Sequence, residues 1–442
     1  MDKSSRAVLV RKFLMAGAFF AISTLFLTVF CVDRAEAIAA FSRELKTECT
    51  TCHTIFPQLN EFGQAFEKNG FVWPGGVEKS KKIKVTQTEE ERKSAEYIKL
   101  SGIPAMLPLS VSLGASYLYD DTKEDNFDQK FFSAQLLAAG VVGGDRLGFW
   151  FNESLGSQSG GPTGPSQVWF VARDPLGVPV HLKFGRLSPD LSLWKTTLNG
   201  RMLSQSATVD GFSASGAQSG LEVSSIVAKR VQVVVGINDR NNNTAANAPS
   251  TVNAKGEVVA GKAATTNSVN DFYGRIGVKF GGADYHGKEP DVDLDKDSVW
   301  DFLSVSFSAF GYSGSTSKGD GINHDLNRYG VEAEAAYKKL LLMFGATLGE
   351  NNADAKVPLE TTVFSAEVDY VFNPVFALAL RYDTQDIEGK DVRSIITPGI
   401  IWAPLQCFKL RLSAAIDSNP TNAATGKADA NTTASLAATL HF

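Results

Sequence analysis

The chain ends Ala434-Ser435-Leu436-Ala437-Ala438-Thr439-Leu440-His441-Phe442. In an extended backbone, successive side chains point to opposite faces. Ala434, Leu436, Ala438, Leu440 and Phe442 therefore share one side, opposed by Ser435, Thr439 and His441. The arrangement recurs upstream. In 408–416, Phe408, Leu410, Leu412, Ala414 and Ile416 oppose Lys409, Arg411 and Ser413. In 362–372, Phe364, Ala366, Val368, Tyr370 and Phe372 oppose Ser365, Glu367 and Asp369. In 328–337, Tyr329, Val331, Ala333, Ala335 and Tyr337 oppose Arg328, Glu332 and Glu334, and in 272–280 Gly274, Ile276, Val278 and Phe280 oppose Arg275 and Lys279. A period of two, apolar on one row and charged on the other, describes a sheet with one apolar and one wet side.

A soluble sandwich alternates in the same way, so the connections decide. Tight turns at Gly143–Asp145, Lys229–Arg230, Lys338–Lys339, Asn373–Pro374 and Ala403–Gln406 take turns with long polar loops near 119–129, 156–165, 187–218, 240–269, 313–326, 349–361 and 418–432. Short turns on one side and long loops on the other mark an outer-membrane barrel. The segments between them are 108–118, 130–142, 146–155, 166–173, 179–186, 219–228, 231–239, 271–281, 300–311, 327–337, 340–348, 362–371, 375–384, 393–402, 408–416 and 434–442. They predict a mainly β fold: a 16-stranded, porin-like transmembrane barrel over residues 106–442, both ends on the short-turn side. An alternating last strand that ends in Phe also resembles the signature read by the outer-membrane insertion machinery. One connection resists, because Gly282–Val299 is long and acidic where a short turn is expected. Asp291, Asp293, Asp295 and Asp297 lack the Gly and distal Glu of a helix–loop–helix calcium site, so a solvated acidic loop is expected there.

Composition agrees. The 442 residues include 29 Phe and 39 Gly, which suits strands and turns, and a net charge of −5 leaves no nucleic-acid footprint. Lys3, Arg6, Arg11 and Lys12, the apolar run Phe13 to Phe30 and the small-x-small Ala35-Glu36-Ala37 read as a signal peptide over 1–37. Beyond it no apolar run approaches the ~20 residues of a spanning helix, so any membrane crossing falls to strands.

Cys49-Thr50-Thr51-Cys52-His53 follows. Two thiols one helical turn apart reach the two vinyl groups of a porphyrin, and the adjacent histidine sits under the ring as proximal iron ligand, the attachment pattern of c-type haem. A zinc pair would need two further ligands nearby, and 38–100 holds none; a thioredoxin-like pair would need an α/β fold that this segment is too short to build. Pro57 suits a first helical turn, Leu59, Phe62 and Phe66 recur at helical spacing, and Gly70 is placed to end the helix. A small α-helical haem segment is thus expected over 38–76, with a charged linker over 77–105. So short a piece has too little core to bury a porphyrin alone and must borrow part of its pocket. The distal position has no marked ligand. The remaining histidines are His181, His286, His324 and His441, and the methionines Met106, Met202 and Met343. Met106 is nearest in sequence and is the weak distal candidate, since a lone methionine more often packs than ligates. Cys407, beside a short turn, reads as apolar filler.

Phe41-Ser42-Arg43, the Cys49–His53 motif, Phe56-Pro57-x-Leu59-Asn60-x-Phe62-Gly63 and Phe66-x-x-Asn69-Gly70 resemble the fused monohaem cytochrome c–porins of the bacterial outer membrane, among them the outer-membrane iron oxidases and relatives in metal-respiring bacteria. The likeness covers about residues 41–74 by motif and the rest by architecture. It implies one covalent haem c on Cys49 and Cys52 with His53 as proximal ligand, and electron transfer across the outer membrane. The leading case is oxidation of extracellular iron, with electrons passed to periplasmic carriers such as soluble cytochromes; outer-membrane lipid would surround the barrel. A haem-plugged porin for small solutes, outward transfer to extracellular metal oxides, and a barrel partner for separate multihaem cytochromes are the alternatives.

Overall fold

Alternation at period two becomes a ladder of antiparallel strands once each wet row faces its neighbour's wet row. The computed structural model describes residues 41, 51–55, 58–73, 109–120, 127–142, 146–156, 167–175, 177–192, 202–203, 217–239, 251–252, 258–259, 270–288, 296, 298–317, 323–351, 359–405, 408–417 and 431–441. The expected signal peptide and charged linker lie outside them. Two short strands, β1 (His53–Ile55) and β2 (Gln58–Leu59), precede helix α1 (Glu61–Lys68). Then come β3 (Leu109–Asp120), β4 (Phe127–Val142), β5 (Leu147–Gly156), β6 (Gln167–Arg173), β7 (Val180–Leu187), β8 (Gln218–Val227) and β9 (Val231–Asp239). A small hairpin, β10 (Thr251–Val252) with β11 (Val258–Val259), stands in the next loop. The chain continues through β12 (Asn270–Phe280), the single-turn helix α2 (Val299–Phe302), β13 (Leu303–Ser317), β14 (Asn323–Tyr337), β15 (Leu340–Asn351), β16 (Leu359–Asn373), β17 (Phe376–Ile387), β18 (Arg393–Leu405), β19 (Phe408–Asp417) and β20 (Asn431–His441).

Strands β3–β9 and β12–β20 close a sixteen-membered antiparallel ring, in which β20 returns to pair with β3 (Leu436 opposite Tyr117). Closure leaves no unpaired edge. The wet row points inward. Glu367, Asp369 and Asp383 are 0% exposed and Arg381 3%, while Val368 and Leu380 on the other row are 39% and 51% exposed. On β12, Asp271, Tyr273, Arg275 and Lys279 are buried, and Phe272, Ile276 and Phe280 face out. A soluble protein would reverse this; charged lumen and apolar exterior are what a bilayer requires of a closed sheet. The architecture is that of an outer-membrane protein. Replacing an outward side chain tests it: Leu380→Arg is expected to lower barrel stability in lipid by about 2–4 kcal/mol, measured as a shift in the denaturant midpoint of the heat-modifiable band.

All sixteen strands expected from sequence are present, with differences at their ends. Most run further toward the long-loop side: β13 reaches Ser317, β14 begins at Asn323, β16 at Leu359, and β17 extends to Ile387. Gly-, Ser- and Asn-rich residues there read as loop, yet the ladder continues through them (Gly314 opposite Leu326, Ser317 opposite Asn323). The apolar row stops before the pairing does. The expected start of β13 at residue 300 is instead the turn of α2.

The connection after β12 needs correcting. Its first half is not a solvated loop: Gly282, Ala283 and Asp284 are buried. The Arg230 guanidinium donates to the carbonyls of Gly281, Gly282 (3.1 Å) and Ala283 (3.4 Å), and Asp284 accepts from the amides of His286 and Lys288. A fixed cation from the neighbouring turn gathers the carbonyls, which the count of acidic side chains did not reveal. Asp291, Asp293, Asp295 and Asp297 lie outside the described residues.

A candidate haem plug at the short-turn mouth

Asn60 organises the N-terminal segment. Its Oδ1 accepts from the Gly63 amide (2.9 Å), capping α1, while its Nδ2 donates to the Thr51 carbonyl (3.1 Å) and its own amide to the Cys52 carbonyl (2.9 Å). The helix therefore starts at Glu61, four residues after Pro57, because the cap sits there. Gln58–Leu59, expected within the helix, pairs with His53–Ile55 instead. Gly63 is required by close approach: a Cβ there would lie 2.1 Å from the Cys52 carbonyl oxygen. The helix thus ends, as expected, at Asn69-Gly70, and the Cys52-His53 turn is held against its first turn.

This unit lies inside the barrel. The Glu61 carboxylate pairs with Lys279 of β12 (2.7 Å), accepts from the Ala283 amide (3.0 Å) and takes the Ser304 hydroxyl of β13. Lys68 donates to Gln232 of β9 (2.6 Å), and Gln58 to Asp369 of β16 (3.3 Å). Ile55 packs with Met202, Leu203, Val371, Ala377, Ala379, Ile401 and Ala403. On the other side Phe41, Phe62, Phe66, Phe71 and Trp73 meet Trp150 and Trp169 of the wall, with Phe71 stacked on Trp169 at 5.6 Å. Val371, Ala377 and Ala403 flank short turns, so the plug fills the short-turn mouth. Residues Leu187–Ser192 fold inward as well. Asp190 sits 3.4 Å from Arg275, its amide bonds Glu222 (3.0 Å), and Ser192 donates to Glu332 (2.6 Å).

The expected haem residues divide. Cys52 and His53 lie half-buried in the plug; Cys49 and Met106 lie outside the described residues, as does Cys407. Among the described residues Cys52 forms no disulfide, and burial pushes its thiol up to about 11. Met202 is buried in the apolar cluster beside Ile55, and Met343 on the lumen row of β15. His441 faces the lumen at the end of β20, because its partners Ser112 and, one step along the row, Ser110 are buried on the inner wall. Among the described residues no cluster of three or more His, Cys, Asp or Glu could hold a metal ion; an iron held by a porphyrin needs only axial ligands. The aromatic seat was legible in one respect, since Trp150 and Trp169 stand on the lumen row, where polar residues are the rule.

Known proteins were compared with the chain. Among solved structures it is similar to the anion-selective porin from Comamonas acidovorans, at 12% identity over 76% of this chain and 98% of that one, with a TM-score of 0.54. The barrel is porin-like. The porin-like barrel is also matched by the outer membrane channel DcaP of Acinetobacter baumannii (12% identity, 76% and 97% covered, TM-score 0.47) and by OmpT of Vibrio cholerae (10% identity, 76% and 97% covered, TM-score 0.45). No protein-family model and no curated protein matches the sequence.

Proposed function

We propose that this porin-like barrel carries one c-type haem on its plug, attached through Cys49 and Cys52 with His53 as proximal ligand, and passes electrons from extracellular Fe(II) to periplasmic carriers such as soluble cytochromes. The supporting observation is that Cys52 and His53 lie on a hairpin inside the lumen, at the short-turn mouth, the end that faces the periplasm in outer-membrane barrels. A hydrocarbon layer about 30 Å thick separates the two sides, too far for direct transfer without a cofactor inside it.

The residues present fit the group. An uncommitted thiol and an imidazole sit on one short hairpin, and the wall supplies the apolar enclosure that the segment alone lacks. When bound, haem supplies a one-electron couple, so each Fe(II) oxidised to Fe(III) delivers one electron. Asn60 and Gly63 fix the attachment turn, Glu61 and Lys68 hold the plug to β12 and β9, and the aromatic seam excludes water. Outward transfer to extracellular metal oxides would use the same residues in reverse.

A second reading is a plugged channel for small solutes. The likeness to a porin described as anion-selective favours it; the mixed charges of the lumen, with Arg381 against Glu367 and Asp383, do not favour one ion sign. Anaerobic addition of Fe(II) to the purified, oxidised protein separates the two. Rapid reduction of the haem α-band, saturating with Fe(II) and absent in His53→Ala, is expected. A haem that forms but ignores Fe(II) would overturn inward iron oxidation, and a folded barrel without covalent haem would leave the channel.

A further inference from the structure

The connection between β7 and β8 reads in the sequence as a long polar loop, yet residues 187–192, 202 and 203 are all buried. Four of them are apolar: Leu187, Leu191, Met202 and Leu203. A loop standing out from the barrel would leave such side chains in water, at a cost in free energy that burial removes. We infer that residues 187–192, with Met202 and Leu203, form a clamp that holds the N-terminal plug in its seat, and that the plug leaves the mouth when the clamp opens.

The clamp meets the plug at three places. Leu187 shares the aromatic cluster of Phe66, Phe71 and Trp73. Asp190 Oδ2 lies 3.9 Å from Lys68 at the end of α1, while Oδ1 lies 3.4 Å from Arg275 of β12. Met202 and Leu203 share the buried cluster of Ile55 on β1. Leu203 also lies flat on the wall, since a Cβ at Gly399 of β18 would come 2.2 Å from its side chain. Other contacts fix the clamp to the barrel without the plug. The Asp190 amide donates to Glu222 of β8 (3.0 Å), and Ser192 donates to Glu332 of β14 (2.6 Å). Leu191 packs with Val234, Tyr273 and Tyr312. One side of the segment is thus anchored to the ring and the other faces the plug. Because the connection leaves β7 and enters β8 at their long-loop ends, it ties that side of the barrel to a plug seated at the opposite mouth.

Single-channel recording of the full chain in planar bilayers tests the clamp. The variant is Asp190→Ala/Leu203→Ala, with Leu203→Ala alone in its place if heat-modifiable migration shows that the double variant does not fold. Both keep Glu61, Lys279 and Ser304, which join the plug to the wall directly. The wild type is expected to hold one small conductance. The variant should add discrete steps up to the several-fold larger level of a chain lacking residues 38–76. A uniform rise without a second level would mean that these side chains only narrow the lumen, and overturns the clamp. So does an unchanged trace in the folded variant. The recording needs no haem: stepwise opening in a chain without covalent haem would keep the clamp and remove the electron-transfer reading.

Discussion

Deleting residues 38–76 is expected to turn the barrel into an open pore, with single-channel conductance in planar bilayers rising several-fold over that of the full chain. The segment fills the short-turn mouth through contacts that reach opposite walls. Gln58 engages β16, Lys68 engages β9, and Glu61 binds Lys279 of β12 and Ser304 of β13. The ring itself does not need the plug for pairing, because every barrel strand is hydrogen-bonded on both sides by another barrel strand. Folding should therefore survive the deletion, as migration on unheated gels will report. Unchanged conductance would mean that the inward loop through Asp190 and Ser192, rather than the plug, sets the constriction.

Arg381→Leu is expected to destabilise the barrel by about 3–5 kcal/mol, because removing one partner from a buried charge group strands the others. Arg381 Nε lies 2.9 Å from Asp383, and its Nη1 lies 3.6 Å from Glu367. Both carboxylates are fully buried, and neither Glu367 oxygen has a hydrogen-bond donor among the described residues, so the guanidinium is its main compensation. The denaturant midpoint in detergent or lipid measures the loss. The double variant Arg381→Leu/Glu367→Leu should recover part of it; failure to recover would show that the pair is not the source of the cost.

The barrel was legible because lipid on one side and water on the other impose a strict alternation, visible in Phe364 to Phe372 as plainly as in Leu436 to Leu440. Strand ends were less so: outside the bilayer the apolar constraint lapses while hydrogen bonding goes on, as in Gly314–Ser317. Within the candidate site, Cys52 and His53 were marked by spacing alone. Their surroundings were not, since Asn60 bonding Thr51 is local but Glu61 meeting Lys279 and Ser304 depends on how a separate ring closes. The Asn60-Glu61 pair, a capping residue followed by an acidic first turn, did carry the helix start; Pro57 drew the boundary too early. The position of His441 at the short-turn mouth follows only from the closure of β20 on β3, which no local pattern encodes.

That closure orders events during biogenesis. The segment with Cys52 and His53 precedes β3 in the chain and so reaches the periplasm first, whereas the ring cannot be sealed until residues 431–441 arrive to pair with β3 and β19. Until that pairing forms, the wall around Cys52 is an open sheet. The last strand is the door of the ring, and a chain shortened by it would leave the wall open beside the plug.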